Sequence, residues 1–179
     1  MNYRPITDVW FLARAKLKGG RKYYGAYLGG FPERARALIG CAIDEPVLHV
    51  CGGICRHYPY AGGFGTNDKT LDLNPACEPD YLADAGCPLP ESWAGILIDP
   101  PYSERDAANY PPGESKYVSP AALLDHALRA VRPGRKVGII HYILPRPPKG
   151  ARFVACVGVL CGFSNRIRCF SVFERPLDT

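Results

Sequence analysis

The sequence predicts an α/β protein built on a largely parallel β-sheet, and three observations support this prediction. Several short apolar segments have the length and composition of strands that are buried on both faces, as in parallel sheets. Four of these segments end in an acid, a glycine pair or a proline pair. Two segments with helix-start and helix-stop residues lie among the strands. Because parallel strands need crossover connections, this alternation is typical of open α/β sheets.

The length and composition indicate a single domain. The chain has 179 residues, of which 47% are hydrophobic and 22% charged, as is ordinary for a globular protein. We expect one domain over residues 1–179, with a basic, tyrosine-rich segment at 1–30 and the core at 31–179. No apolar run approaches the roughly 20 residues of a membrane span, and the first residues have no apolar region before a small-residue cleavage site. We therefore expect a soluble, cytoplasmic protein that does not bind membranes.

Positive charge is concentrated near the N-terminus. The net charge is +5, and the first 22 residues carry one acid, Asp8, against six basic residues: Arg4, Arg14, Lys16, Lys18, Arg21 and Lys22. Tyr23, Tyr24 and Tyr27 follow directly. Basic side chains interleaved with aromatic rings suit a phosphate backbone with stacked bases. A solvated surface with some core tyrosines is the alternative interpretation.

The eight cysteines favour reduced thiols in the core over a metal site or disulfides. The sequence contains no Cys-X-X-Cys pair, and the spacings within Cys51/Cys55 and Cys156/Cys161 are not those usual for zinc. Most of the cysteines lie in apolar stretches, where a free cysteine behaves as a small hydrophobic residue.

The first half of the chain holds one predicted helix and four predicted strands. The helix covers residues 31–40, with Pro32 at its start and Gly40 at its end. The strands cover residues 46–50, 69–73, 80–83 and 94–98. The segment between the first two strands is rich in glycine and proline, so we expect no regular helix there.

The second half begins with a polar, proline-rich loop at 103–118. A helix is predicted over 120–131, with Ser119 as its N-cap, and a fifth strand over 136–143. Ile167–Glu174 alternates as a strand does. Residues 153–161 are apolar throughout and fit a helix or a strand. A parallel crossover needs a dozen or more residues, so if 153–161 is a strand we expect the sheet to end in antiparallel strands.

The four strand ends carry groups that suit an adenosine-containing cofactor. In open α/β sheets ligands bind outside the carboxyl ends of the strands, so these ends should line one crevice. Gly52 and Gly53 let the backbone approach a ligand, Asp72 can accept hydrogen bonds from ribose hydroxyls, and Asp84 can accept one from an adenine amino group. Taken singly, each is more often a turn or a cap. Their occurrence at successive strand ends, with Asp99 as the fourth, favours a binding site.

The motif Asp99-Pro100-Pro101-Tyr102 follows the fourth strand and has the most specific chemistry. An exocyclic amino group is a poor nucleophile because its lone pair is delocalised into the ring. Asp99 and a backbone carbonyl held by the two rigid prolines can accept hydrogen bonds from that group, while Tyr102 stacks on the ring. A strand-ending turn with a surface tyrosine is the alternative, and the other three strand ends favour the site.

This arrangement resembles the class I S-adenosylmethionine-dependent methyltransferases, and the Asp-Pro-Pro-Tyr motif resembles the signature of their amino-methylating branch. The likeness extends over about residues 30–175. It implies a single-domain Rossmann-like methyltransferase fold, S-adenosyl-L-methionine as cofactor, no metal, and catalysis by residues 99–102. The cofactor-binding residues that it implies are Cys51, Gly52, Gly53, Asp72, Leu73, Asp84 and Ala85, with Phe31 near the methionine end. The glycine loop departs from the family's pattern, because no acid directly precedes it.

The resemblance implies methyl transfer to an exocyclic amine of a nucleobase. Adenine N6 in DNA is favoured over cytosine N4 in DNA, and an RNA base (guanine N2 or adenine N6) is the competing target. We expect no separate target-recognition domain, and we therefore expect a homodimer or a partner chain to help hold nucleic acid. A non-catalytic module that binds the cofactor or nucleic acid, and a cysteine-based metal module, are the alternatives from other functional classes.

Overall fold

The computed structural model describes residues 4–14, 27–57, 63–110, 117–162 and 166–177. Within these residues the chain forms one nine-stranded sheet with three α-helices. The strands are β1 (Ile6–Arg14), β2 (Leu28–Gly29), β3 (Val47–Val50), β4 (Lys69–Asp72), β5 (Tyr81–Leu82), β6 (Trp93–Ile98), β7 (Val131–His141), β8 (Arg152–Cys161) and β9 (Ile167–Glu174). The helices are α1 (Phe31–Ile39), α2 (Glu104–Ala107) and α3 (Pro120–Ala130).

The sheet is mostly parallel and includes an antiparallel C-terminal strand, as predicted, although that strand lies inside the sheet and not at its end. The strand order is β2-β1-β8-β9-β7-β6-β3-β4-β5. Strands β3 to β7 are mutually parallel where they pair, whereas β9 is antiparallel to both of its neighbours, β7 and β8. Residues 153–161, which the sequence left open between helix and strand, therefore belong to a strand. Between β3 and β4 the described residues contain only a short 3-10 helix, Cys55–His57, which confirms the low helix content expected there.

The two longer helices begin and end as the sequence predicts. Helix α1 ends at Gly40, whose backbone has φ 71° and whose N–H donates to the carbonyl of Ala37 at 3.0 Å. The Ser119 hydroxyl accepts a hydrogen bond from the N–H of Ala122 at 3.3 Å and so caps α3. No helix in the described part of the chain is long and apolar enough to cross a membrane.

The boundary between α3 and β7 differs from the prediction. The sequence predicts a loop at the proline and glycine of residues 132–134, but β7 starts at Val131 and includes them, and it ends at His141 rather than at residue 143. Contacts with the C-terminal residues explain why this segment belongs to the strand. Gly134 N–H donates to the carbonyl of Arg175 at 3.1 Å, and the Arg175 guanidinium donates to the carbonyl of Val131 at 2.7 Å. These contacts hold the segment extended where its pairing with β6 is irregular.

Three elements were not predicted from the sequence. Strands β1 and β2 lie in the basic N-terminal segment, and α2 lies in the expected loop at 103–118. Residues Ile6 to Leu12 pair in parallel with Ala155 to Cys161, so β1 extends the sheet beyond β8. Residues 15–26, which hold most of the predicted basic and tyrosine-rich cluster, lie outside the described residues.

The sheet separates two hydrophobic clusters. On one face Trp10, Phe31 and Phe170 form an aromatic group against α1, with Phe31 and Phe170 ring centroids 5.1 Å apart. On the other face β6, β7 and α3 bury a set of aliphatic side chains: Ile96, Ile98, Leu123, Leu124 and Ile139. Burial of these side chains is the main stabilising contribution to the fold.

The eight cysteines are free thiols. Cys41, Cys55 and Cys77 are buried and pack as small hydrophobic residues. The sulfur atoms of Cys156 and Cys169, on neighbouring strands, lie 3.2 Å apart. In the ranges that the structure describes, no group of three or more His, Cys, Asp or Glu side chains is placed to hold a metal ion.

A buried carboxylate ties α1 to the start of the parallel sheet. Asp68 is hydrogen-bonded to the Arg36 guanidinium, lies 3.2 Å from Nε2 of His49, and accepts from the N–H groups of Gly65 at 2.7 Å and Val47 at 3.1 Å. Burial by itself raises the pKa of such a carboxyl, but the hydrogen bonds from His49 and Arg36 outweigh it and lower the pKa of Asp68. Asp68 is therefore ionised and paired in the folded protein.

We expect the Asp68→Ala variant to lose about 3–5 kcal/mol of unfolding free energy, because it leaves Arg36 buried without its anionic partner. Urea denaturation measures this loss. Asp125→Ala is the matched control, since Asp125 pairs with Arg129 on the exposed surface of α3 and its removal should cost less than about 0.5 kcal/mol. Equal losses in the two variants would contradict the structural role of Asp68.

Candidate active site at the carboxyl ends of the strands

The ends of β3, β4, β5 and β6 meet at one edge of the sheet. Hydrogen bonds continue between the backbones just beyond the strands, from the N–H of one residue to the carbonyl of another: Cys51 to Leu71 at 2.8 Å, Ala83 to Asp72 at 3.2 Å and Asp99 to Val50 at 3.2 Å. Because parallel strands present their carboxyl ends on the same side, the four predicted strand-end groups belong to one surface.

The turn after β3 is fixed by the carboxylate at the end of β4. Cys51 and Gly53 both have left-handed backbone conformations, with φ of 54° and 53°. Gly53 N–H donates to Oδ2 of Asp72 at 2.8 Å. A side chain at Gly52 would place its Cβ 3.1 Å from Cβ of His49, so close packing of this turn on β3 favours glycine there.

Asp72 keeps hydrogen-bonding capacity after it has held this turn. Its Oδ1 accepts from the N–H of Asn74 at 2.9 Å, and its Oδ2 accepts from Gly53. Each carboxylate oxygen has two lone-pair positions, so both oxygens can accept one more donor. The half-buried side chain of Leu73 follows directly.

The segment after β5 is positioned by α3. Oδ1 of Asp84 accepts from the N–H of Gly86 at 2.8 Å, which closes a tight turn. Ala85 is buried, and its carbonyl lies 3.4 Å from Nδ1 of His126 on α3. The turn therefore has contacts that fix it before any ligand binds.

Three of the strand-end carboxylates act electrostatically on the Cys51 thiol. Burial raises the pKa of the Cys51 thiol, and the charges of Asp72, Asp99 and Asp84 raise it further, in that order. Carboxylates from three different strand ends thus lie within electrostatic reach of one thiol. That thiol stays protonated and is not a nucleophile.

The motif after β6 forms a hydrogen-bonded chain of three side chains. The Tyr102 hydroxyl donates to Oδ1 of Asp99 at 2.7 Å, and Nη1 of Arg168 lies 3.4 Å from the same hydroxyl. Burial raises the pKa of Asp99 to about 6, although Tyr102 and Arg168 both act to lower it. Arg168 was not predicted from the sequence, because it lies on β9, far along the chain from the motif.

Two further rings surround Tyr102. The ring of His141, at the end of β7, lies edge-to-face with Tyr102 at a centroid distance of 5.2 Å. The Tyr142 ring lies 4.5 Å away. Pro100 is buried and Pro101 half-buried, so the prolines anchor the motif to the sheet edge. The aromatic wall that these residues form is larger than the single stacking ring that the sequence predicts.

Phe31 belongs to the hydrophobic core beside α1. It is 1% exposed, and its ring packs among Trp10, Tyr27 and Phe170 in the core. The position near the methionine end of a cofactor that the resemblance implies for Phe31 stays a prediction.

Comparison with known proteins finds structural neighbours only. No family model matches the chain, and no curated protein matches it. Among solved structures, TrmN from Thermus thermophilus superposes with a TM-score of 0.61 at 18% identity, covering 85% of this chain and 50% of TrmN. A putative RNA methyltransferase from Pyrococcus horikoshii has a TM-score of 0.56 at 9% identity, covering 93% of this chain and 92% of that one.

A third neighbour is the putative methyltransferase yhhF from Escherichia coli, with a TM-score of 0.54 at 10% identity, covering 93% of this chain and 99% of that one. At these identities the likeness establishes the fold: the chain has a Rossmann-like methyltransferase fold, as predicted. The chain spans about half the length of TrmN.

We expect the Asp99→Asn variant to be more stable than the wild type at about pH 8. The folded-state pKa of Asp99 is about 6, above its usual 3.8, so the fold favours the neutral carboxyl and loses that contribution as pH rises through 6. The difference between these two pKa values corresponds to about 2–3 kcal/mol of unfolding free energy. Urea denaturation at about pH 8 should show this gain, and at about pH 4 the gain should largely disappear.

The Asp125→Asn variant on α3 serves as the control, because Asp125 is only half-buried and pairs with the exposed Arg129 at the surface. Its effect on the unfolding free energy should be small at both pH values. A gain for Asp99→Asn that does not change with pH would contradict the raised pKa.

Proposed function

We propose that this chain is an S-adenosylmethionine-dependent methyltransferase that methylates an exocyclic amino group of a nucleobase in a nucleic acid. The observation that carries the proposal is the position of Asp99 to Tyr102 at the carboxyl end of β6, beside the turn at Cys51–Gly53 and the carboxylate of Asp72. The methyltransferase fold of the neighbouring structures supports the cofactor and the reaction class.

The residues at this edge fit an adenosine-containing cofactor. Asp72 has two carboxylate oxygens with spare lone pairs, which suits the two hydroxyls of a ribose. The turn of Asp84 and Ala85 lies one strand further along, where it can accept from an adenine amino group. Bound there, S-adenosylmethionine would supply an activated methyl group on a sulfonium.

Asp99 is the group that we propose acts on the amine. Its Oδ1 is engaged by Tyr102, and its Oδ2 can accept an N–H of the target amino group. That hydrogen bond draws the nitrogen toward a tetrahedral geometry and frees its lone pair for attack on the methyl carbon. Fixing the two reacting atoms near one another is the largest contribution expected of the site.

The raised pKa of Asp99 suits the proton that the reaction releases. A methylated exocyclic nitrogen must lose one proton to return to a neutral amine. Because the pKa of Asp99 is about 6, its carboxylate is mostly ionised at neutral pH and can also hold a proton briefly before passing it to solvent. The Tyr102 hydroxyl stays protonated, since burial and then Asp99 raise its pKa.

Within this proposal the substrate has two candidates, a base in DNA and a base in RNA. Adenine N6 in DNA is favoured by the Asp-Pro-Pro-Tyr motif. An RNA base is favoured by the structural neighbour from Pyrococcus horikoshii, which is described as a putative RNA methyltransferase. Both require an exocyclic amine that is presented to Asp99.

The proposed function predicts that label from S-adenosyl-L-[methyl-³H]methionine appears in nucleic acid when the chain is incubated with separate DNA and RNA pools. Digestion to nucleosides and mass spectrometry should then find one N-methylated base, which also decides between the two candidates. Calorimetry with S-adenosylmethionine is the independent measurement. Binding without methylation of any pool would favour a non-catalytic module, and absence of binding would overturn the cofactor proposal.

Two variants should separate catalysis from cofactor binding. Asp99→Ala removes the acceptor for the amine, so we expect turnover to fall at least about 100-fold while calorimetric affinity for S-adenosylmethionine changes little. Asp72→Ala should instead weaken that affinity about tenfold or more, because it removes the ribose acceptor and the partner of Gly53. Unchanged turnover in Asp99→Ala would refute the proposed role of Asp99.

A further inference from the structure

A polar cleft of about 700 Å³ opens beside the motif, and nothing in the proposed reaction so far uses it. One wall is formed by Arg105 and Asp106 of α2 and by Asn109 just after it, and the other wall is formed by Tyr142 and Arg166. The cleft adjoins the motif directly. Ser103, which follows Tyr102, caps α2 with its hydroxyl, and the ring of Tyr142 lies 4.5 Å from that of Tyr102.

The walls of the cleft combine cations with an accessible ring. Arg105 and Arg166 are exposed, and the Arg166 guanidinium lies 6.0 Å from the centroid of Tyr142 and 3.4 Å from its hydroxyl. Asp106 is the acid of the cleft, and its carboxylate accepts from the hydroxyl of Ser103 at 2.9 Å. Among the described side chains that line the cleft, two are guanidinium groups and one is a carboxylate, so these three sum to one positive charge.

From this arrangement we infer that the cleft binds the nucleotide next to the target, with its phosphate at Arg105 and Arg166 and its base on the ring of Tyr142. Guanidinium groups match the geometry of phosphate oxygens, and tyrosine is a common platform for stacked bases. The inference rests on the proposed function and adds the form of the substrate. It makes Tyr142 and Arg166 substrate-binding residues of the reaction.

The spacing of the rings also indicates the state of the substrate strand. Tyr102 and Tyr142 have centroids 4.5 Å apart and an interplanar angle of 56°, so they present two surfaces at an angle rather than one flat stack. Two neighbouring bases can stack on the two tyrosine rings only if both bases are unpaired and lie at an angle to each other. The preferred substrate is therefore a single strand, and a duplex would pay the cost of opening its base pairs.

The test measures fluorescence anisotropy of short fluorescein-labelled single strands, of DNA and of RNA, with the full chain. Tyr142→Ala should raise the dissociation constant about fivefold or more through loss of stacking, and Tyr142→Phe should restore most of the affinity. Arg166→Ala should weaken binding and lower the magnitude of the slope of log affinity against log salt by roughly 0.7, the value for one phosphate contact to a single strand. Affinity for S-adenosylmethionine should not change.

Arg129→Ala is the matched control, because Arg129 is an exposed arginine on α3 outside the cleft. It removes the same charge and should leave the dissociation constant and the salt slope near the wild-type values. Equal effects of Arg166→Ala and Arg129→Ala would overturn the inference, as would tighter binding to duplex than to single strands. Competition by polyglutamate as effective as that by an oligonucleotide would also overturn it, in favour of an acidic protein segment.

The outcomes for the cleft and for the reaction are distinguishable. If the chain binds single strands through Arg166 and Tyr142 but methylates no nucleic acid, the proposed reaction fails while the cleft still binds nucleotides. If the chain methylates nucleic acid and the cleft variants bind and react as the wild type does, the cleft inference fails alone.

Discussion

The parallel pairing of β3 with both β4 and β6 is the constraint on which the rest of the structure depends. Since parallel strands finish on the same side, this pairing delivers three chemically different strand ends to one edge. The hydrogen bonds from Cys51 to Leu71 and from Asp99 to Val50 extend the pairing into the turns themselves. The backbone pairing thus sets the positions of the functional groups, and their side chains lie close to where a ligand would bind.

Burial has opposite outcomes for the carboxylates of Asp68 and Asp99. Asp68 has enough donors around it, among them Arg36 and His49, that its pKa is lowered and both of its carboxylate oxygens are engaged. Within the described part of the chain, the Asp99 carboxylate accepts one side-chain hydrogen bond, from the Tyr102 hydroxyl, and burial raises the pKa of Asp99 to about 6. The first arrangement stabilises the sheet, whereas the second costs stability and leaves an acceptor available. This difference separates a structural carboxylate from one suited to chemistry.

The sequence predicted those features that depend on neighbouring residues and missed those that depend on distant ones. Strand ends, helix caps and the motif at Asp99 are local patterns, and the structure has each of them in place. Strand β1 was missed because its pairing partner, β8, is far along the chain and because it carries apolar residues on both faces, with Trp10 buried and Phe11 exposed. Arg168 reaches Tyr102 only through the antiparallel insertion of β9, which no local pattern indicates.

The end of β7 explains why the aromatic wall and the cleft share one border. Burial lowers the pKa of His141, so its ring is neutral. Because Nδ1 of this ring accepts from the N–H of Ile143 at 2.9 Å, the ring carries its proton on Nε2. The same hydrogen bond closes a sharp turn of the backbone after β7. The turn ends the strand and sets Tyr142 beside Tyr102. Residues 142–151 then return to β8 without a helix in a short, proline-containing crossover. Because so short a connection has little freedom, the histidine that stops the strand also fixes the ring that faces the cleft.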